Sequence, residues 1–458
     1  MPFDKWWGGD YPFGYLRAPI GKFSPTADLI FDLNDNDNGH GPHGLIGGMT
    51  GSGKSELLKT MILSLSLSHH PYDLNFALID YKGGGAFDEF RDLPHVVGVI
   101  TDIQNHADYA TRVVQSLAGE IKRREKILVE ARNQYGLANA HIDEYRRKLK
   151  IRVPIPRLVI IFDEFAEFQE RHPDESKRLI NIARVGRSLG IHMILCTQNP
   201  MGKAVDQQVR DNSNFTICLK VKTPETSKSL INIPDAIQLH RGEAFFHVHG
   251  PQKFKVAYTA DDYVDPDPDN NPNKNDMQQR VYLLEHISEA KAIVDEIKIQ
   301  THLQNIPKPP AVWPDPLLEQ LTLEQVLEKA GAILSWDSSG WKSNLFLSPR
   351  IPFGLMDDPV HQKQPILILE DNLVIFGPSG SGKSFALLTL AKSIGLLYSP
   401  IEANIYCIDI GSQSPIKLLK ECNMPHLPKD GGVIAGNDTE RINRLFKMLR
   451  IELSERAD

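Results

Sequence analysis

Short apolar runs alternate with longer amphipathic stretches over the first half of the chain. The clearest run, residues 158–162 (LVIIF), is apolar at every position. Such a run is typical of a strand that is buried on both faces of a sheet, because a strand with one solvated face would alternate apolar and polar residues. Strands separated by helical stretches form βαβ units, so the pattern predicts a parallel sheet covered by helices.

A glycine-rich segment lies between a short apolar run (HGLIGG, residues 43–48) and a stretch with helical character (residues 55–68). Glycines let successive backbone N–H groups turn toward phosphate oxygens, and a following helix places its positive end at the same spot. We expect Lys54 to reach the β- and γ-phosphates of ATP and the Ser55 hydroxyl to bind Mg²⁺. A glycine-rich turn that binds nothing is the alternative. The ATP-binding residues predicted here are Gly48, Met49, Thr50, Gly51, Ser52, Gly53, Lys54 and Ser55.

The same segment recurs later in the chain, in a similar context. In both copies an apolar strand ends in an aspartate 26 residues beyond the lysine, at Asp80 and at Asp409. Two matches in parallel contexts predict two homologous modules. The second module is therefore also expected to bind ATP, with Ser384 as its Mg²⁺ ligand. Its predicted loop consists of Gly377, Pro378, Ser379, Gly380, Ser381, Gly382, Lys383 and Ser384.

Polar residues follow two further apolar runs of the first module. Asp163 and Glu164 end the run at 158–162, and their position predicts that Asp163 holds Mg²⁺ through water while Glu164 orients the attacking water. Thr197 and Gln198 follow the run at 191–196, and a threonine or a glutamine at this position is predicted to sense the γ-phosphate. We therefore propose Glu164, Lys54 and Gln198 as catalytic residues. Solvated acids and a polar cap at a strand end are the alternatives.

A polar segment (DDYVDPDPDNNPNKN, residues 261–275) and a proline-rich bridge (residues 306–316) divide the chain. The polar segment is poor in residues that could build a core, so it indicates a linker. The predicted domains are residues 1–260, a linker with a helix at 261–316, and a second domain at 317–458. Asp163 comes 109 residues after Lys54, and the same offset from Lys383 falls beyond residue 458. We therefore expect the second domain to be truncated before its acidic strand.

Composition limits the function classes. With 41% hydrophobic and 24% charged residues, the 458-residue chain is of ordinary globular type. Its net charge of −7 does not favour nonspecific nucleic-acid binding, and the basic clusters at 122–124 and 146–148 lie among glutamates, as on a solvated helix face. Four scattered cysteines indicate reduced thiols. No apolar stretch approaches the ~18 residues that a transmembrane helix needs.

The first module carries TGSGKSELL (50–58), LIDYKGGGAF (78–87), VIIFDEFAE (159–167) and ARVGRSLGIHMILCTQ (183–198). The second carries IPFGLMDDP (351–359) and GPSGSGKS (377–384). Together these motifs resemble the EccC family, the motors of type VII secretion systems within the FtsK/SpoIIIE group, with the first module similar to the first ATPase domain of that family and the second module similar to the second. The resemblance implies an α/β, RecA-like P-loop NTPase fold, with a central, mostly parallel sheet flanked by helices, in tandem.

The resemblance also implies a function. The chain is expected to be an ATP-driven motor that powers protein export, with ATP hydrolysis in the first domain, ATP binding in the second, and Mg²⁺ as cofactor. Expected partners are further copies in a ring-like oligomer, a hexamer when assembled, the membrane-bound secretion machinery and small secreted proteins. The expected location is cytoplasmic, at the inner face of the cell membrane, with no transmembrane helix in this chain. An arginine reaching into the neighbour's site is also implied, and Arg112 and Arg210 are the candidates, unless both are surface charges.

Two other functions stay open at this point. A DNA translocase of the FtsK/SpoIIIE family would have DNA as its partner. A nucleotide-gated assembly module would use ATP to stabilise contacts between subunits, with negligible turnover.

Overall fold

A computed structural model of the chain describes residues 16–35, 39–105, 108–149, 155–198, 207–262, 288–314, 317–318, 320–334, 336–337, 339–341, 350–410, 417–428 and 432–457. The chain forms two compact units. The first comprises Met1–Pro314 with Pro359–Gln362, and the second comprises Asp315–Asp358 with Lys363–Asp458.

In its described residues, the first unit is built on a ten-stranded sheet. Its strands are β1 Arg17–Ser24, β2 Ala27–Asp32, β3 His43–Gly47, β4 Leu74–Asp80, β5 Val96–Thr101, β6 Arg157–Asp163, β7 Ile191–Thr197, β8 Phe215–Cys218, β9 Glu243–His247 and β10 Pro251–Val256. Their order across the sheet is β2-β1-β10-β9-β8-β3-β7-β6-β4-β5.

The sheet has a parallel half and an antiparallel half. Strands β8, β3, β7, β6, β4 and β5 pair in parallel, which confirms the predicted α/β fold with a mostly parallel central sheet. Strands β9, β10, β1 and β2 extend it through antiparallel pairs. The hydrophobic pattern did not predict this antiparallel extension.

Helices cover both faces of the sheet, because alternate residues of its central strands point to opposite sides. On β6, Leu158, Ile160 and Phe162 belong to one core cluster, and Val159 and Ile161 belong to the other. The helices of the first unit are α1 Lys54–Ser68, α2 Tyr109–Tyr135, α3 Ile142–Leu149, α4 Phe165–Arg171, α5 Pro173–Gly186, α6 Gln207–Asp211, α7 Pro224–Ile231 and α8 Glu289–Leu303.

Helix α8 lies within the predicted linker. It packs on the first unit, where Ala290, Val294 and Ile297 join the same core cluster as residues of α1. Its Ser288 side chain accepts a hydrogen bond from the Lys291 amide and caps the helix. The polar part of the predicted linker, residues 263–287, lies outside the described residues.

The second unit has short strands and four helices in its described residues. Residues 373–376, the counterpart of β3 before the second glycine-rich loop, lie outside any strand, and the Phe376 side chain is 90% exposed. The strands are β11 Trp336–Asp337, β12 Gly340–Trp341, β13 Ile351–Leu355, β14 Ile366–Leu369, β15 Cys407–Asp409 and β16 Val433–Ala435. The helices are α9 Leu323–Lys329, α10 Lys383–Leu397, α11 Lys417–Glu421 and α12 Thr439–Ala457.

None of the helices in the described part of the chain combines the length and the apolar character that a membrane crossing requires. The four cysteines are free thiols.

Stability of the first unit is expected to fall as the pH drops below about 6.5. His95 is fully buried, and burial lowers its pKa to about 3. Between these two values the unfolded chain binds a proton that the folded chain does not, so acidification favours unfolding. For His95 alone, the free energy of unfolding should fall by about 2 kcal/mol between pH 7 and pH 5. Chemical denaturation at several pH values measures it. An equally steep dependence on pH in His95→Gln would contradict the assignment.

Candidate nucleotide-binding site

The first glycine-rich loop leads from β3, near the middle of the sheet, into α1. Gly51 and Gly53 adopt left-handed backbone conformations with φ of 78° and 101°, which glycine reaches without steric cost. Helix α1 begins at Lys54 without a side-chain cap, so its first N–H groups have no partner within the helix and point toward the loop. The buried Ser52 hydroxyl also lacks a hydrogen-bond partner among the described residues. This arrangement fits the phosphate groups of a nucleotide.

The Lys54 ammonium lies between Asp163, the predicted Mg²⁺ ligand, and Glu164, which is predicted to orient the attacking water. It donates to Asp163 Oδ1 and to Glu164 Oε1, the latter at 2.5 Å. All three side chains are buried, with at most 6% of each residue exposed. Burial disfavours the charged lysine, but the attraction of Asp163 and Glu164 outweighs it and raises the pKa of Lys54. The loop and the acidic strand therefore meet as a buried cluster of one cation and two acids.

Gln198 links this cluster to the glycine-rich loop. It follows β7, the strand that lies between β3 and β6. Its amide nitrogen donates to Glu164 Oε1 at 2.5 Å, and its amide oxygen accepts a hydrogen bond from the Thr50 hydroxyl. Gln198 therefore contacts both the loop and Glu164. Its role in sensing the γ-phosphate stays a prediction.

Two features of the cluster were not predicted from the sequence. Glu164 has a left-handed backbone with φ of 59°, which is uncommon for a residue other than glycine. Lys82 Nζ lies 3.9 Å from Glu164 Oε2 and 2.6 Å from Glu167 Oε1. Lys82 follows Asp80 at the carboxyl end of β4, next to β6, so the reasoning that placed Asp163 could also have found it.

The residues present fit Mg²⁺ together with the phosphates of a nucleotide. Ser55 stands exposed in the first turn of α1. Burial raises the pKa of Asp163, and the Lys54 ammonium opposes that rise, so a further cation would favour its charged form. Asp80 is buried beside it, with one carboxylate oxygen unpartnered among the described residues. Carboxylate and hydroxyl oxygens are the ligands that Mg²⁺ prefers.

The second glycine-rich loop has the same backbone but different surroundings. Gly380 and Gly382 are again left-handed, with φ of 82° and 89°, and α10 begins at Lys383 without a side-chain cap. The Lys383 ammonium donates to the carbonyl oxygens of Gly377 and Pro378, at 2.8 and 2.7 Å. Within the described residues no carboxylate pairs with Lys383, and Ser384 follows it in the first turn of α10.

The two candidate arginines are both engaged within the first unit. Arg112, on α2, is buried, and its guanidinium donates to the carbonyl of Pro314 at 2.7 Å. Arg210, on α6, donates to the carbonyl of Ser229, and burial lowers its pKa. The role of either residue in a neighbouring subunit stays a prediction.

Comparison with known proteins places this site in a family context. Residues 25–201 and 340–458, more than half of the chain, match the model of the FtsK/SpoIIIE family. The ESX secretion system protein YukB of Bacillus subtilis (strain 168) is 33% identical over 476 residues, and ESX secretion system protein EccC of Geobacillus thermodenitrificans (strain NG80-2) is 32% identical over 463 residues. Each alignment covers 96% of this chain, which spans only 29% of the length of either relative.

A solved structure shows a similar fold. The cytoplasmic domain of the type VII secretion ATPase EccC of Thermomonospora curvata superposes with a TM-score of 0.80 at 28% sequence identity. The match covers 100% of this chain and 50% of that one.

Proposed function

The chain belongs to the FtsK/SpoIIIE family, and we propose from this premise that it is an ATP-driven motor that hydrolyses ATP at its first glycine-rich loop and binds ATP at its second. One observation carries the proposal. Lys54 of the first loop lies in contact with both Asp163 and Glu164, so the groups that bind phosphate and the groups that activate water share one buried site.

The residues of this site account for hydrolysis. Phosphoryl transfer depends mainly on positioning and charge stabilisation, so a protein needs few reacting groups of its own. Lys54 exchanges its carboxylate partners for phosphate oxygens when ATP binds, and Glu164 then accepts a hydrogen bond from the attacking water and orients it. Mg²⁺, when bound, neutralises phosphate charge, and Ser55 and Asp163 are the residues placed to hold it.

Protein export is the work that we propose for this motor. The similar proteins bear the names ESX secretion system protein and type VII secretion ATPase. The chain would act at the inner face of the cell membrane with a membrane-bound secretion machinery and small secreted proteins as partners. A net charge of −7 favours this over transport along DNA, because phosphate backbones attract basic surfaces.

We propose further that identical copies assemble into a ring, a hexamer when complete. In such a ring an arginine from one copy would add positive charge at the neighbour's phosphates, which a single copy lacks. ATP turnover measured against protein concentration tests this. The rate should rise more than proportionally with concentration, and light scattering should show larger particles over the same range. Turnover strictly proportional to concentration would contradict assembly-dependent catalysis, and bound ATP with no turnover at any concentration would contradict hydrolysis.

A further inference from the structure

Two lysines lie near the Glu164 carboxylate, each closest to a different oxygen. Lys54 contacts Glu164 Oε1, and Lys82 lies near Oε2. We propose that Lys82 is a positioning residue for Glu164. Lys82 binds the Glu164 carboxylate when Lys54 moves to the phosphates. The inference rests on the proposed ATP hydrolysis and assigns a role to a residue outside the glycine-rich loop and the acidic strand.

The distances suit such an exchange. Glu164 Oε1 is engaged twice at 2.5 Å, by Lys54 and by Gln198. Lys82 Nζ is 3.9 Å from Oε2, so a movement of about 1 Å brings it to hydrogen-bond distance. The flexible four-carbon side chain of lysine allows this movement without a change in the backbone.

Electrostatics supplies the reason for the exchange. Glu164 is only 4% exposed, and a buried carboxylate that loses its cation is strongly destabilised. Once Lys54 binds phosphate, Lys82 is the remaining lysine in ion-pair distance of Glu164 among the described residues. Its hydrogen bond to Glu167 raises the pKa of Lys82, so it stays cationic.

The backbone that carries Lys82 is anchored. The amides of Lys82 and Gly83 both donate to Asp80 Oδ1, at 3.1 and 3.0 Å. Gly83 has φ of 76°, and a side chain there would press on Asp102, so the turn after β4 requires glycine. Only the side chain of Lys82 is therefore free to move between Glu167 and Glu164.

Steady-state kinetics of four variants test the proposal. For Lys82→Met we expect kcat to fall about 10- to 100-fold with the KM for ATP changed less than about 3-fold, because Lys82 acts on Glu164 and not on the nucleotide. Lys82→Arg should recover most of the rate, since it keeps the positive charge. Glu167→Gln is the matched control: it removes the other partner of Lys82, frees the ammonium for Glu164, and should keep kcat near the wild-type value. Glu164→Gln serves as the inactive reference.

Three outcomes overturn the proposal. The first is a wild-type kcat in Lys82→Met, and the second is no recovery of kcat in Lys82→Arg. The third is an equal loss of kcat in Lys82→Met and Glu167→Gln, which would mean that the two residues form a structural ion pair. Thermal unfolding of each variant accompanies the kinetics. Failure of the proposed function is recognised separately, since wild-type protein would then show no ATP hydrolysis or Glu164→Gln would hydrolyse ATP at the wild-type rate. Either of those results removes the basis of both proposals.

Discussion

Glu164→Gln is expected to lower the rate of ATP hydrolysis by about 10²- to 10⁴-fold, while ATP binding stays within a few-fold of the wild-type value. Glutamine keeps the size of the side chain and one oxygen that can accept the hydrogen bonds of Lys54 and Gln198, but its NH2 group donates, and it lacks the negative charge that polarises the attacking water. Binding depends on the glycine-rich loop and Lys54, which the substitution leaves in place.

The measurement pairs a phosphate-release assay with equilibrium binding of ATP on the same protein preparation. Glu170→Gln, six residues further along at an exposed position of α4, is the control and should hydrolyse ATP like the wild type. If Glu164→Gln keeps its turnover, Glu164 is not the water-activating residue. If ATP binding is lost as well, the carboxylate acts in the structure of the site and not in the chemical step.

Lys54→Ala is expected to have two large effects. ATP affinity should fall about 10- to 100-fold, since charged hydrogen bonds to the phosphates are lost. The nucleotide-free protein should also lose about 3 kcal/mol of its free energy of unfolding, because Asp163 is then left buried without its cation and Glu164 loses the nearer of its two lysines.

Lys383→Ala is the matched control within the same chain. Its ammonium contacts only carbonyl oxygens of its own loop among the described residues, and it is less deeply buried than Lys54. The free energy of unfolding should therefore change by no more than about 0.5 kcal/mol. Denaturant unfolding without nucleotide compares the two variants. Equal losses of stability would show that the contacts of Lys54 with Asp163 and Glu164 stabilise the fold no more than the carbonyl contacts of Lys383 do.

The two glycine-rich loops share a motif and a backbone conformation, but their lysines have different partners. Both have left-handed glycines at equivalent positions and lead into a helix without a side-chain cap. The first lysine is held by buried carboxylates, and the second folds back on its own loop. A nucleotide bound as proposed would displace an ion pair at the first loop and only carbonyl contacts at the second.

The amino-acid sequence by itself determined the features that depend on local spacing. The glycine-rich loops follow from glycines at positions that need left-handed backbone, and the parallel sheet follows from continuous apolar runs separated by helical stretches. The closeness of Asp163 and Glu164 to the first glycine-rich loop also followed, because parallel strands end at the same edge of a sheet. The direct contacts of Lys54 with both carboxylates were not predicted.

Only the tertiary structure decided which strands are neighbours. The order β3-β7-β6-β4 differs from the order along the chain, and it places Gln198 and Lys82 on either side of Glu164 although they are far apart in the sequence. The antiparallel extension of the sheet and the packing of α8 were also decided only by the tertiary structure. Strand order and helix docking are set by which apolar faces pack together across the whole unit, and the periodicity of a single segment contains no information about its neighbour.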